Sequence, residues 1–252
     1  MSEVSKTQID RLGDRLKKSN FGEADLRLLD EYRLSFTDSY EVVVGRIRKE
    51  LELEPTGRPA KSTSSISEKL RRESIRLTQI QDIAGCRLVV ADISSQERVI
   101  TALQNLFDNT TAVDRRKEPS HGYRAFHLIV KHADKLVEIQ IRTSLQQLWA
   151  ELSEKLSDTI DPALKYGGGD LSFLELLGKA SEVVAGQESN DLELVELKVL
   201  LSLRLKQDRL SEETQKLLAR VNHDQKKNES TRLQVFEALR EAINVLPRPR
   251  KQ

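Results

Sequence analysis

Three short segments carry the residue types best suited to chemistry: Asp82–Arg87, Gly122–His127 and Glu138–Thr143. In the last segment, apolar residues alternate with Glu138, Gln140 and Arg142. This period of two predicts a strand with one apolar face and one face that carries an acid, an amide and a base. An acid held on a rigid strand beside a base suits metal and phosphate chemistry. Three charged, turn-flanked segments in one small domain therefore indicate an enzyme that acts on phosphates.

Two acids are candidates for a shared magnesium site. Asp82 precedes a strand that is predicted to begin at Cys86, and Glu138 lies on the polar face of its strand. Magnesium takes few protein carboxylates and completes its shell with substrate phosphates and water, so two acids suffice. The alternative is that each acid forms a surface ion pair, Asp82 with Arg87 and Glu138 with Arg142.

A basic run precedes Asp82 in the chain. It comprises Arg58, Lys61, Lys69, Arg71, Arg72 and Arg76. Such a run can hold a triphosphate through charge-assisted hydrogen bonds. The alternative is a solvated helix face, because Glu68 and Glu73 interrupt the run. The chain carries neither a Walker pattern nor a dinucleotide-binding fingerprint.

The aromatic residues divide into a candidate ligand contact and a core residue. Tyr123 follows Gly122 and is predicted to share a strand face with His127, four residues further on. A tyrosine exposed there can stack on a nucleotide base, and the alternative is that both side chains pack or cap. Trp149 has apolar neighbours at helical spacing and is predicted to lie in the core. Cys86 opens an apolar strand and is predicted to be an inert core thiol.

Composition narrows the class of protein. The chain has 252 residues, of which 32% are charged and 4% aromatic, and its 41 Lys and Arg against 40 Asp and Glu leave a net charge of +1. This balance gives no overall basic excess for nucleic-acid binding, although a local patch can still serve. The single cysteine excludes an internal disulfide framework and a multi-cysteine zinc site. With no apolar signal core and no long apolar run, we expect a cytoplasmic protein that does not enter a membrane.

The pattern along the chain predicts N-terminal helices over 1–56 packing on a catalytic core over 57–168, then a helical extension over 169–252. Helices are predicted over Thr7–Lys18, Leu26–Leu53, from Ser65 with a weak capping box, from Ser94 or Ser95 through Phe107, and over Ser144–Leu156. Strands are predicted over Cys86–Val90, Arg124–Lys131 and Lys135–Arg142, the last two as an antiparallel hairpin. After a boundary at Gly167–Gly169, helix is predicted to Val245, with breaks near Gly186 and near Asn222–Asp224.

The three opening motifs, in this order and spacing and with Trp149-Ala150 following, resemble the synthetase domain of the RelA/SpoT family of alarmone synthetases. The likeness spans about Arg58 to Tyr166. It implies an α/β (α+β) fold of nucleotidyltransferase-like type, with a mixed, largely antiparallel sheet flanked by helices and, here, a C-terminal helical extension. It also implies a GTP/GDP diphosphokinase, which moves the β,γ-pyrophosphate of ATP to the 3′-hydroxyl of GDP or GTP with Mg²⁺ as cofactor.

The resemblance assigns roles to residues of this chain. Asp82 is expected to bind magnesium, and Glu138 to help hold it and to activate the 3′-hydroxyl. The positions expected to grip ATP are Arg58, Lys61, Lys69 and Arg72. Tyr123 is expected to stack on the acceptor guanine, and the residues expected to line the same site are His127, Gln140 and Arg142. These roles agree with the physics of phosphoryl-type transfer, which depends on positioning and charge neutralisation.

Two departures from the family pattern concern the acceptor. Pro119–His121 replaces a stretch in which many members place a lysine, and Ser153-Glu154 stands where small synthetases often show Glu-His. Both changes resemble toxic small members that modify the 3′ end of tRNA and block translation. The upstream cluster expected to seat an RNA backbone consists of Arg115, Arg116 and Lys117. The alternative is a basic loop that serves a free nucleotide.

Three functions therefore remain open. The first is synthesis of a guanosine alarmone by a small synthetase without a hydrolase domain. The second is a toxin that acts on the tRNA 3′ end, with a protein antitoxin or regulator docked on the C-terminal helices. The third is a non-catalytic nucleotide-binding or interaction module, which the presence of both Asp82 and Glu138 disfavours. A homo-oligomer built through the C-terminal helices is a further expectation.

Overall fold

The computed structural model describes residues 5–207 and 211–247. These residues form two compact units, each assembled from separate stretches of the chain. The first unit comprises the described part of Met1–Leu88 with Ile100–Val113 and His127–Ile141. The second comprises Val89–Val99, Asp114–Phe126 and the described part of Arg142–Gln252. The predicted bounds at 56 and 168 stay predictions, and the predicted extension 169–252 ends outside the described residues.

The helices and strands follow one another along the chain as follows: α1 Lys6–Lys17, α2 Glu23–Leu34, α3 Thr37–Leu51, β1 Thr56–Arg58, α4 Thr63–Arg72, β2 Ala84–Val90, α5 Ile93–Leu106, β3 Thr110–Asp114, β4 Phe126–His132, β5 Lys135–Thr143, α6 Ser144–Thr159, α7 Leu171–Gln207 and α8 Glu212–Val245. Short 3₁₀ helices cover Leu77–Gln79 and Pro162–Tyr166. The predicted mixture of helices with a sheet, followed by C-terminal helices, is confirmed.

The strands form one five-stranded sheet in the order β1-β2-β5-β4-β3. The predicted hairpin is β4 and β5, which are neighbours joined by Ala133-Asp134, and a two-residue connection makes such a pair antiparallel. Both turn residues have positive φ, 44° and 64°, as a type I′ hairpin turn requires. The predicted alternation in β5 is confirmed on the apolar side, where Val137, Ile139 and Ile141 are fully buried.

Two strands at the ends of this order were not predicted. Strand β1 pairs antiparallel with β2, with Gly57 opposite Cys86. Strand β3 is a partly exposed five-residue segment without a strong apolar alternation. Both are short, and such strands depend on their partner strand more than on their own sequence.

The helix predicted over Leu26–Leu53 is wrong as a single element. Helices α2 and α3 are separated at Ser35-Phe36. The Ser35 hydroxyl donates to the Tyr32 carbonyl oxygen at 2.6 Å, a local bond that competes with helix continuation. The Phe36 ring packs edge-on against Tyr32 with centroids 5.2 Å apart, which fixes the bend.

Two predicted helix starts are also displaced. Helix α4 begins at Thr63, and its N-cap is Ser62, whose hydroxyl accepts from the Ser65 backbone N–H. Helix α5 begins at Ile93, and the Asp92 carboxylate accepts from the Ser95 N–H at 2.8 Å. In both cases the residue that caps the helix lies earlier in the chain than the predicted capping serine.

The second unit contains α6, α7 and α8 around an apolar cluster. Trp149 is buried in this cluster, and its indole N–H donates to the Leu177 carbonyl oxygen at 2.8 Å, so the prediction that it lies in the core is confirmed. The helices are interrupted at Gly167–Gly169, where Gly167 and Gly169 have φ of 76° and 90°, but both sides of this break lie in the second unit and the predicted domain boundary stays a prediction.

The two predicted breaks in the C-terminal helices are wrong. Helix α7 continues through Gly186, and α8 continues through Asn222–Asp224. The buried residues that flank these positions include Val184 and Gln187 in α7 and Val221 and Asn228 in α8. Packing of these residues outweighs the weak helix propensity of glycine and asparagine.

Candidate functional site

A cavity of about 410 Å³ opens in the first unit. The residues that line it are Thr56, Gly57, Arg58, Lys61, Asp82, Gly85, Cys86, Arg87, Glu138 and Gln140. They come from β1, β2, β5 and the loops that precede α4 and β2. The cavity therefore gathers both predicted acids with several of the predicted cations.

Asp82 occupies the turn before β2 and is held by two lysines. Lys61 Nζ lies 2.5 Å from Oδ2, and Lys69 Nζ, from α4, lies 2.9 Å from Oδ1. The Lys61 backbone N–H donates to the Ile83 carbonyl oxygen at 2.7 Å, which ties the two loops together. Burial by itself would raise the pKa of the Asp82 carboxyl, but the two ammonium groups outweigh it and hold that pKa below its usual value. Asp82 is therefore ionised at neutral pH.

Glu138 projects from β5 and accepts hydrogen bonds on both carboxylate oxygens. His127 Nδ1, on the neighbouring strand β4, lies 2.8 Å from Oε1, and Gln140 Nε2 donates to Oε2 at 2.7 Å. Burial and the charge of Asp82 act to raise the pKa of Glu138. The hydrogen bond and charge of His127, together with the Gln140 bond, outweigh them and lower it. The structure thus brings His127, Gln140 and Asp82 around Glu138.

Two glycines that the sequence did not single out shape this cavity. A Cβ on Gly57 would lie 2.4 Å from the Gly85 carbonyl oxygen and 2.5 Å from Cys86 Cα. A Cβ on Gly85 would lie 3.1 Å from the Glu138 carbonyl oxygen. Both glycines therefore allow the backbones of β1, β2 and β5 to approach closely where the acids emerge. The motif Asp82–Arg87 could have drawn attention to Gly85. No sequence pattern pointed to Gly57.

The residues present fit a magnesium ion. Within residues 5–207 and 211–247, no group of three or more His, Cys, Asp or Glu side chains is arranged to hold a metal. Asp82 and Glu138 nevertheless face one cavity and are both ionised, and their hard oxygen atoms suit Mg²⁺ with phosphate and water as the other ligands.

The predicted basic run divides into two parts. Arg58 and Lys61 line the cavity, and Lys69, which is not among the lining residues, donates to Asp82. Arg72 lies outside the lining and is paired with Glu73 at 2.8 Å. Arg71 donates to the Ser19 hydroxyl at 2.8 Å in the same unit. The solvated-face alternative thus describes the C-terminal end of α4.

Cys86 also lines the cavity, yet its chemistry agrees with the prediction of an inert thiol. Its side chain is buried at the start of β2. Burial, together with the charge of Glu138, raises the pKa of the Cys86 thiol to about 12. At neutral pH the thiol is therefore protonated and a poor nucleophile.

Tyr123 and Arg142 meet in the second unit. Arg142 Nη2 donates to the Tyr123 hydroxyl at 3.0 Å, and the guanidinium carbon lies 5.1 Å from the ring centroid. The Tyr123 ring also packs against Trp149 at 6.3 Å. Arg142, which was predicted on the polar face of its strand, is buried because these contacts and a bond to Gln147 enclose it.

The predicted strand face shared by Tyr123 and His127 is wrong. Strand β4 begins at Phe126, and Tyr123 lies before it in an isolated bridge with Ser120. Gly122, with φ of 84°, turns the chain there, and a Cβ on it would lie 2.8 Å from the Trp149 ring. Tyr123 belongs to the second unit and His127 to the first.

The basic cluster that was predicted to seat an RNA backbone contains two exposed cations and one cation, Arg116, that forms ion pairs. Arg115 and Lys117 are exposed. Arg116 donates to Asp114 at 2.7 and 2.8 Å and to Glu97 at 2.6 Å. Its guanidinium also lies 5.3 Å from the Phe126 ring centroid. Arg116 therefore orders its own loop.

Comparison with known proteins identifies the central segment. Residues 57–157 match the family described as a region found in RelA / SpoT proteins. An uncharacterized protein of Mycobacterium tuberculosis is 40% identical over 129 residues, which are 49% of this chain and 46% of that protein. The GTP pyrophosphokinase YjbM of Bacillus subtilis is 36% identical over 151 residues, or 52% of this chain and 65% of that protein. The chain thus spans about half to two thirds of these relatives.

A solved structure agrees with the sheet and helices described above. Small alarmone synthetase 1 from Bacillus subtilis, bound to its product pppGpp, superposes with a TM-score of 0.50 at 26% identity, covering 71% of this chain and 99% of that one. The resemblance to the synthetase domain of RelA/SpoT proteins, and the fold class it implied, are confirmed. Among the described residues, no helix is both long and apolar enough to cross a membrane.

Proposed function

We propose that this chain is a pyrophosphokinase that transfers the β,γ-pyrophosphate of ATP to the 3′-hydroxyl of GDP or GTP. The observation that carries the proposal is the cavity in which the ionised carboxylates of Asp82 and Glu138 face the cations of Arg58 and Lys61. Its similarity to a GTP pyrophosphokinase of Bacillus subtilis supports the reaction class.

In this proposal the cations neutralise and orient the triphosphate. Arg58 stands exposed on β1 and is available for a bidentate contact with a phosphate, whereas Lys61 and Lys69 act as point charges held in place by Asp82. Asp82 and Glu138 would hold Mg²⁺. When bound, that ion screens the charge that builds on the transferred pyrophosphate.

Glu138 is proposed to orient the acceptor hydroxyl. Its carboxylate is ionised at neutral pH because its pKa is lowered, so it would accept a hydrogen bond from the 3′-hydroxyl and take the proton as the new O–P bond to the β-phosphorus forms. AMP leaves as the bond between the α- and β-phosphates breaks. His127 and Gln140 hold the carboxylate in position for this step through the two bonds at 2.8 and 2.7 Å.

For the acceptor base, we assign Tyr123 as the stacking residue and Arg142 as the residue that fixes its ring. The tRNA 3′ end is the second candidate acceptor. Arg115 and Lys117, which precede Tyr123 in the chain, are exposed, and their charges suit an RNA backbone. The engagement of Arg116 with Asp114 and Glu97 weakens this second candidate. An antitoxin, a regulator or a second copy bound to the C-terminal helices belongs to the same set of proposals.

Radiolabel transfer tests the proposal. The purified chain is incubated with Mg²⁺ and γ-³²P-ATP, and GDP, GTP, AMP and deacylated tRNA are offered in parallel. Label in a guanosine product supports the proposed function, and label only in tRNA assigns the second candidate. Wild-type protein that labels no acceptor, under conditions in which a known pyrophosphokinase does, overturns both and leaves the non-catalytic module.

A further inference from the structure

A buried carboxylate on the C-terminal helix α7 contacts the segment that carries Tyr123. Glu188 is 4% exposed. Its Oε2 accepts from Arg124 Nη2 at 2.8 Å and from Arg124 Nε at 3.3 Å. Its Oε1 accepts from Gln146 Nε2 at 2.5 Å and from the Thr143 hydroxyl at 3.5 Å. All of these residues lie in the second unit.

The contacts of Glu188 continue through the loop itself. Arg124 Nη1 donates to the Arg116 carbonyl oxygen at 2.9 Å, which joins the two ends of the segment 114–126. Arg116 Nη1 in turn donates to Gln96 Oε1 at 3.2 Å, and Gln96 Nε2 donates to Gln146 Oε1 at 2.9 Å. The hydrogen bonds thus form a closed ring that returns to Glu188 through Gln146.

Backbone hydrogen bonds outside the strands also tie this segment together at two places. The Arg115 N–H donates to the Ala125 carbonyl oxygen at 2.9 Å, and Ser120 and Tyr123 exchange bonds at 2.9 and 3.3 Å. The residues from Lys117 to His121 between these points are exposed. The side-chain hydrogen bonds to the buried charge of Glu188 therefore add a restraint on the segment beside the contacts of Tyr123 with Arg142 and Trp149.

We infer that Glu188 is a positioning residue that fixes the segment 114–126 through Arg124 and thereby sets the affinity for the acceptor. This inference rests on the proposed function, in which Tyr123, the neighbour of Arg124, stacks on the acceptor base. It gives α7 a role in the reaction, because a residue of the C-terminal helix holds a loop of the synthetase region. It also accounts for the burial of a carboxylate at this point of α7.

The substitution Glu188→Gln removes the charge while keeping the shape. The amide can still accept one bond, but it leaves the mostly buried Arg124 guanidinium, 15% exposed, without its counter-charge. The segment then relaxes and Tyr123 samples positions that do not stack. We expect the KM for GDP or GTP to rise about ten-fold, with the KM for ATP unchanged. Glu188→Asp keeps the charge on a shorter side chain and should rescue part of the effect.

The matched control is Glu182→Gln, an exposed glutamate on the same helix. Each variant is tested by the KM for acceptor and for ATP separately, and by hydrogen–deuterium exchange of peptides that cover 114–126. Faster exchange there and a raised acceptor KM in Glu188→Gln, with neither change in Glu182→Gln, support the inference. Equal rises in both KM values, or a loss of thermal stability with unchanged exchange and KM, overturn it.

Two arrangements keep the test decisive. If Glu188→Gln does not fold, Glu188→Asp is judged by the same exchange and KM criteria. If the wild-type protein transfers pyrophosphate to no acceptor, the proposed function fails, while hydrogen exchange still reports whether Glu188 holds the segment. Unchanged exchange in an active Glu188→Gln enzyme sinks the positioning role alone.

Discussion

The two lysines that grip Asp82 predict a large and pH-dependent effect of Asp82→Asn on stability. The carboxylate oxygens lie 2.5 and 2.9 Å from Lys61 and Lys69, and all three side chains are only 17 to 21% exposed. Asparagine matches the shape of aspartate but leaves two ammonium groups facing each other across a neutral amide. Removing one partner of a largely buried ion pair costs about 3 kcal/mol, and the residual exposure argues against a larger value.

The dependence on pH follows from the lowered pKa of Asp82. Because this pKa is lower in the folded state than its usual value of 3.8, ionised Asp82 contributes its full stabilisation above that value. The contribution disappears as the pH falls through the folded-state pKa. The difference in free energy of unfolding between wild type and Asp82→Asn should therefore be constant from pH 5 to 7 and shrink below about pH 4.

Urea unfolding monitored by circular dichroism at a series of pH values measures this difference. The control is Asp134→Asn, whose carboxylate is 93% exposed and pairs with Lys131 at 3.4 Å, and it should leave the unfolding midpoint unchanged. An Asp82→Asn protein as stable as wild type at pH 7, or a difference that grows as the pH falls, would refute the reasoning. Adding Lys69→Met to Asp82→Asn should recover part of the loss, because it removes one uncompensated charge.

Three further substitutions have defined outcomes. Glu138→Gln should lower the rate of pyrophosphate transfer about 10²- to 10⁴-fold while the protein stays folded, because the amide keeps the shape but neither the charge nor the basicity. Gly57→Ala should lower the unfolding temperature, because its Cβ would meet the Gly85 carbonyl oxygen at 2.4 Å, and a chain shift costs about 1–3 kcal/mol. Tyr123→Ala should raise the KM for the acceptor nucleotide about ten-fold through lost stacking.

Each of these has a matched control. Tyr123→Phe keeps the ring, so an acceptor KM as high as that of Tyr123→Ala would exclude stacking as its role. Gly45→Ala, at a helical position where a Cβ meets nothing within 4 Å, should be neutral or stabilising; a loss like that of Gly57→Ala would point to a general intolerance. Glu151→Gln, an exposed substitution on α6, should retain full transfer activity, and wild-type rates in Glu138→Gln would remove that residue from the mechanism.

The sequence predicted the elements whose pattern is long and periodic. Strand β5, its hairpin with β4 and helix α6 follow from alternation and helical spacing, and the acids Asp82 and Glu138 do lie at one cavity. Gly57 and strand β1 were missed because a three-residue edge strand is defined only by its partner. The continuity of α7 through Gly186 was missed because packing, which outweighs local propensity, is not visible in the sequence.

Contacts between side chains that lie far apart in the sequence could not be predicted either. His127 and Glu138 are eleven residues apart and were both predicted, but nothing in the chain indicates that Glu188 would meet Arg124. Of the basic run, Arg58 and Lys61 line the cavity and Lys69 donates to Asp82, while their role in binding ATP stays a prediction. Arg72 pairs with the adjacent Glu73 at the end of α4. The presence of Glu73 in the basic run had already favoured the alternative of a solvated helix face there.

The central claim is that the acids at this cavity serve transfer of pyrophosphate from ATP. Its most direct test is thin-layer separation of the products of γ-³²P-ATP with GDP, GTP and deacylated tRNA, run for wild type, Glu138→Gln and Glu182→Gln at equal protein concentration. We predict a labelled guanosine product that forms with wild type and Glu182→Gln and is reduced at least about 10²-fold with Glu138→Gln. Equal labelling by wild type and Glu138→Gln, or no labelling of any acceptor by wild type, would contradict the account.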